Sequence, residues 1–116
     1  MGVRKANENV IIVQPLRENQ FSEELAEANE LATATEEGDF DVLIDFAKIE
    51  VVNLSHISSL ILLRKALHDI GRELILYNLS FMTHSIFSLA GLEGFFLFAK
   101  TKNSAIEALE KHHMAH

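Results

Sequence analysis

Compact apolar runs alternate along this chain with stretches whose apolar residues recur at helical spacing. Val10-Ile11-Ile12-Val13 is a β-branched run closed by Pro15, which predicts a buried strand. Residues 2–7 are placed beside it as a short edge strand turning at Glu8-Asn9. From residue 21 to 37, Phe21, Leu25, Ala28 and Leu31 recur every three or four positions with glutamates between them. That is the period of an amphipathic helix, with Ser22 near its start and Gly38 after its end as punctuation. DVLIDF at 41–46 predicts a second buried strand, followed by an extended stretch through Val52. Helical spacing returns after Ser55, with His56, Leu60, Leu63, Leu67 and Ile70 on one face and Gly71 as the stop. ELILY at 73–77 predicts a third strand, and residues 81–89 a third helix ending at Ala90-Gly91. Residues 95–99 complete the strands, and 103–111 the helices. Strands and helices joined in alternation by short turns imply an α/β fold. The expected architecture is a single domain with a mixed, mostly parallel sheet of four to five strands and about four helices, its core spanning about 10–109.

Composition narrows the function. A chain of 116 residues accommodates one compact domain, and 48% apolar with 23% charged residues is globular rather than disordered. The formal charge of −7, with ten Lys and Arg spread from end to end, excludes a nucleic-acid binder and favours a protein partner. No cysteine is present, so disulfides, thiolate metal sites and cysteine nucleophiles are excluded. The early apolar run is too short for a signal peptide or a membrane span, so the protein is placed in the cytoplasm without membrane insertion.

Candidate chemistry concentrates at Asn53-Leu54-Ser55-His56, a polar turn between a strand and an amphipathic helix. A helix N-terminus presents unpaired N–H groups and partial positive charge, so a hydroxyl there can hold a phosphate at little electrostatic cost. Ser55 is the turn's only hydroxyl: it is the natural helix cap, and the alternative is a phosphoacceptor. At roughly 100° per residue, Ser58, Leu62, Lys65 and Asp69 point away from the core, with Ile61 on the flank. Leu54, Ile61 and Leu62 then form an apolar patch beside the turn, against the alternative that Leu62 is an isolated surface leucine. Phe95 and Phe96 are adjacent and face opposite ways on a strand, one into the core and the other under the last helix. Asp41 and Asp45 share a strand face and are expected to be solvated strand ends. His84 lacks a second ligand at helical spacing, and the terminal cluster His112, His113 and His116 is a poor place for a preorganised metal site. The nucleophile-elbow, zinc-protease, phosphate-loop and dinucleotide signatures are all absent. Neither an enzyme nor a cofactor is expected.

The segments LIDFAKIEVVNLSHISSLILL, ELILYNLS after the Gly71 turn, SIFSLAGLEGFF and NSAIEAL together resemble a STAS domain, the fold of bacterial anti-sigma factor antagonists, from about Val10 to Leu109. In that family the turn typically reads Asp-Ser-Ser/Thr-Gly-Leu, and a partner kinase phosphorylates the first hydroxyl after the Asp. An ungapped register sets Asn53 on the Asp, Leu54 on the phosphorylated Ser, Ser55 on the second hydroxyl residue, His56 on the Gly and Ile57 on the Leu. Leucine has no hydroxyl, so the usual modification cannot occur at residue 54. The resemblance implies a non-enzymatic regulatory domain binding a kinase-like anti-sigma factor through residues 53–63, the ATP belonging to that partner. Its contact set is Asn53, Leu54, Ser55, His56, Ser58, Ile61 and Leu62. The alternative it implies is a STAS subunit of a bacterial lipid-transport ABC complex, docked on the transporter ATPase.

Overall fold

The computed structural model describes residues 2–7, 9–33, 40–50 and 52–114, with side-chain surroundings for all of these except 18 and 112–114. The elements in order are β1 (Val3–Asn7), β2 (Val10–Val13), α1 (Phe21–Thr33), β3 (Asp41–Asp45), α2 (Leu54–Asp69), β4 (Leu74–Tyr77), α3 (Phe81–Leu89), β5 (Leu97–Ala99) and α4 (Lys102–Met114). The sheet order is β1-β2-β3-β4-β5; β1 runs antiparallel to β2, and the remaining pairs are parallel. This is the expected mixed, mostly parallel α/β sheet with its crossover helices.

Register explains why the central strands β2, β3 and β4 are largely apolar. Ile11, Val13, Val42, Ile44, Leu74 and Leu76 project to one face and pack with α1, α2 and α3. The alternate residues Val10, Ile12, Leu43, Ile75 and Tyr77 project to the other, under Ala105 and Leu109 of α4. With both faces covered, a strand cannot alternate with polar residues. Each fully buried aliphatic side chain contributes about 1.5–3 kcal/mol relative to exposure.

Two glycines terminate helices by the same device. Gly71 and Gly91 both sit at φ 76°. After α2, the Gly71 N–H donates to the His68 carbonyl and the Arg72 N–H to that of Leu67; after α3, Gly91 and Leu92 repeat the pattern on Ser88 and Phe87. These are Schellman closures, and because a Cβ at either glycine would meet only open space, the requirement is for the left-handed conformation.

The structure revises several boundaries. Helix α1 begins at Phe21 as expected, led in by a 3-10 turn at Glu18–Gln20, with Ser22 within its first turn. Ala32 rather than Leu31 completes its buried face. The expected continuation through 37, Gly38 and Glu8 of the hairpin turn fall outside the described residues. Strand β5 is confined to Leu97–Ala99, leaving Phe95 and Phe96 in the preceding loop, where strand alternation does not apply. Phe96 is buried against Phe87 (5.6 Å between centroids), whereas Phe95 turns toward α2, with the Arg64 guanidinium 4.2 Å from its ring, and not toward the last helix. Helix α4 is longer than the expected 103–111, and the side chains of His112, His113 and His116 lie outside the described set.

Asp41 is the clearest correction. It is 1% exposed, not a solvated strand end. Its carboxylate accepts the Glu73 backbone N–H at 2.9 Å and lies 3.6 Å from Arg72 Nη1, tying the start of β3 to the start of β4. A buried carboxylate is tolerated because these groups replace the water it loses.

Candidate functional site

The parallel strands deliver Leu16, the start of α2 and the start of α3 to one edge of the sheet, beyond the C-terminal ends of β2, β3 and β4. Asp45 binds this edge together. Its carboxylate accepts from the Ala47 N–H at 2.8 Å, the Asn78 side-chain amide at 3.1 Å and the Gln14 side-chain amide at 3.3 Å. Asn78 holds the left-handed φ of 59° that turns the chain from β4 toward α3, a conformation asparagine tolerates better than most residues. Asp45 is therefore a partly buried knot rather than a solvated end. Tyr77 is fully buried beside it, its hydroxyl without a hydrogen-bond partner among the described residues. Burial, with the Asp45 charge adding to it, pushes the phenol up to about 12.

At the start of α2 the cap is Asn53, not Ser55. Asn53 is extended (φ −105°, ψ 176°), its Oδ1 accepts the His56 N–H at 2.9 Å, and its own N–H donates to His56 Nδ1 at 3.3 Å. This is a capping box with histidine in the place usually held by Glu or Gln. The helix begins at Leu54, so Ser55 is already helical and its backbone lacks the extended conformation that a cap requires. His56 is 5% exposed and stacks on Phe21 with centroids 4.9 Å apart. Its side chain points inward, holding the turn against α1, and is not presented on the surface.

The outward side of α2 carries the expected stripe. Leu54 is 78% exposed and Leu62 is 64% exposed. With exposed Ser58 they occupy positions i, i+4 and i+8, one ridge of the helix about 12 Å long. Lys65 and Asp69 continue the exposed side, Ser55 flanks it, and Ile61 is half-buried against the core. The structure thus brings Leu54, Ser55, Ser58 and Leu62 together on one surface, with Asn53 at its end.

Three exposed apolar residues at the same edge were not legible as such: Leu16, Phe81 and Met82. Helix α3 has nine residues, of which Thr83 and Phe87 are buried, too few turns for periodicity to separate an inner from an outer face. Leu16 follows the first buried strand, and nothing local marks it as uncovered. Among the described residues no group of three or more His, Asp or Glu is placed to hold a metal ion, and no helix is long and apolar enough to cross a membrane.

The STAS domain family model matches residues 5–108. The chain belongs to the STAS domain family. Comparison with curated proteins gives no sequence match. Among solved structures, this STAS domain is similar to an anti-sigma-factor antagonist (STAS) domain protein from Planctomyces limnophilus, at 17% identity and TM-score 0.76 over 93% of this chain and 96% of that one. It is similar also to the anti-sigma factor antagonist SpoIIAA in its unphosphorylated form, at 15% identity and TM-score 0.75 over 94% and 95% of the two chains. A third likeness is to the murine anion transporter Slc26a9, at 18% identity and TM-score 0.70, covering 89% of this chain and 18% of the transporter. At these identities the likeness is one of fold.

Proposed function

We propose that this STAS domain is a non-enzymatic regulatory domain that binds a kinase-like anti-sigma factor through residues 53–63 and does so without the usual serine switch. The observation that carries the reading is Leu54. At the position the resemblance assigns to the phosphorylated serine stands a side chain with no hydroxyl, placed on the first turn of α2 and largely in water. Burying an exposed leucine against a partner contributes about 2 kcal/mol, and Leu62 lies on the same ridge. An apolar ridge flanked by Ser55, Ser58, Lys65 and Asp69 has the make-up of an interface centre with a polar rim. The contact set is Leu54, Ser55, Ser58 and Leu62, bordered by Asn53 and Ile61; His56 supports the turn from within. Ser55 is the remaining hydroxyl of the turn, and a phosphate there would add about −2 charge on the flank of the apolar ridge.

Binding is then not turned off at residue 54, which leaves Ser55 as the hydroxyl of the turn on which a partner kinase could act. The test is affinity capture from the source cells with mass-spectrometric identification, using the wild type and Leu62→Asp in parallel. A kinase-like anti-sigma factor retained by the wild type and lost by the variant supports the reading. Capture of a transporter ATPase in its place would reassign the same face to a docking subunit. Leu54→Ser then separates switch from scaffold: the variant should take up phosphate from the captured kinase while the wild type does not at residue 54, and a variant that stays unmodified counts against a kinase partner.

A further inference from the structure

The chain changes sides of the sheet between two adjacent strands. Helix α3, which follows β4, packs through Phe87 on the face shared with α1 and α2. Helix α4, which follows β5, packs through Ala105 and Leu109 on the opposite face. Strands β4 and β5 are parallel neighbours, so the two helices that leave their C-terminal ends diverge and open a crevice between them. In open α/β sheets this is where ligands bind, because no connection closes the gap.

A cleft of about 550 Å³ occupies that position, within the range of small-molecule sites. Its walls are aromatic on one side: Phe81, 90% exposed, with His84 and Phe98, whose rings meet edge to face at 4.9 Å. The polar groups are Ser80 and Ser104, each tied into a helix start: Ser80 caps α3 by accepting the Thr83 N–H at 3.1 Å, and the Ser104 N–H donates to Thr101 Oγ1 at 3.1 Å. Lys100 is the lysine of the lining, and none of the lining residues is a carboxylate, although the chain carries 17 acidic against ten Lys and Arg residues. A cationic group on an aromatic-walled cleft selects an anionic ligand with a flat apolar body.

We propose that the β4/β5 crevice is a binding site for a small aromatic monocarboxylate, its ring against Phe81 and the His84–Phe98 pair and its carboxylate on Lys100. Phe81 gains burial that the folded chain by itself denies it. The site is separate from the α2 ridge, so it stands or falls independently of the protein partner.

The test is an amide-resolved NMR titration of the full chain with indole-3-acetate, using 3-methylindole as the neutral counterpart. Saturable shifts centred on Phe81, His84, Phe98 and Lys100 are expected, with 3-methylindole roughly tenfold weaker. Lys100→Glu should weaken the carboxylate roughly tenfold and leave 3-methylindole unchanged, whereas Phe81→Ala should weaken both. Both residues are exposed, so the variants keep the fold. No saturation at millimolar probe, shifts centred elsewhere, or equal affinity of the two probes for the wild type would overturn the proposal.

Discussion

The two ends of the sheet treat polarity in opposite ways. Where β3 and β4 begin, a charged side chain is buried: Asp41 is enclosed, its carboxylate on the Glu73 N–H and beside Arg72. Where the parallel strands end, apolar side chains are left in water: Leu16, Leu54, Phe81 and Met82, with Leu62 further along α2. A buried carboxylate with its partners in place is explained by the fold, since removing the partners would leave an uncompensated charge. An exposed cluster of large apolar residues gains nothing from folding and is explained by something that covers it. The Asp41 cluster therefore belongs to stability, and the open end, where most of the exposed large apolar residues gather, is the end proposed for binding; Leu89 and Leu97 are exposed apart from it.

The difference is breakable by substitution. Asp41→Ala is expected to act on stability alone and most strongly, costing about 2–3 kcal/mol because the Glu73 N–H and the Arg72 guanidinium both lose their acceptor. Urea unfolding would read this as a lower midpoint at unchanged slope, and a midpoint equal to wild type would remove the stabilising role of the closed end. Leu62→Asp is the converse: partner affinity falls at least about tenfold while unfolding free energy stays within about 0.5 kcal/mol. Calorimetry of the captured pair checks the first, and the same urea curves check the second. A variant that unfolds would show that Leu62 is packed and break the distinction between the ends.

Asn53→Ala tests whether the open end needs a rigid turn. Loss of the cap should cost about 1 kcal/mol, and His56→Gln, which can keep the reciprocal bond, should cost less at the cap although it gives up the stack on Phe21. Urea midpoints for Asn53→Ala and for Ser55→Ala decide between the two residues as cap; a larger loss from Ser55→Ala would contradict the observed geometry.

Tyr77→Phe should be the mildest change at neutral pH, because the hydroxyl has no partner to lose among the described residues. Its effect lies in alkali. The folded-state value, about 12, is above the ordinary 10.0, so the folded protein holds the proton longer than the unfolded chain. The associated stability is fully present below pH 10 and declines as pH rises from 10 toward 12. The wild type should lose stability across that window relative to Tyr77→Phe, and parallel midpoints for the two proteins would show that the phenol is not buried. Tyr77 is the chain's single tyrosine, so its absorbance titration reports the same group directly.

Much of the fold was legible because its signals are local. Val10–Val13 and the stretch from Asp41 to Phe46 carry enough consecutive apolar residues to be strands covered on both sides, and Gly71 and Gly91 mark helix ends by a backbone conformation that other residues resist. The outward placement of Leu62 follows from helical rotation alone. The cap was misread for a local reason as well: Asn53 and Ser55 are both good capping residues, and which one serves depends on where the helix starts. That start is held by His56 stacking on Phe21, a contact across 35 residues that no window of the sequence contains.

By itself the amino-acid sequence determined the order and kind of the elements and the outward stripe of α2, because each depends on spacing within one segment. The tertiary structure alone decided that Asp41 is enclosed, that Phe95 meets Arg64 rather than the last helix, and that α3 and α4 part to opposite faces beside β4 and β5. These outcomes depend on which surfaces of distant segments meet, and burial, unlike periodicity, is a property of the assembled chain.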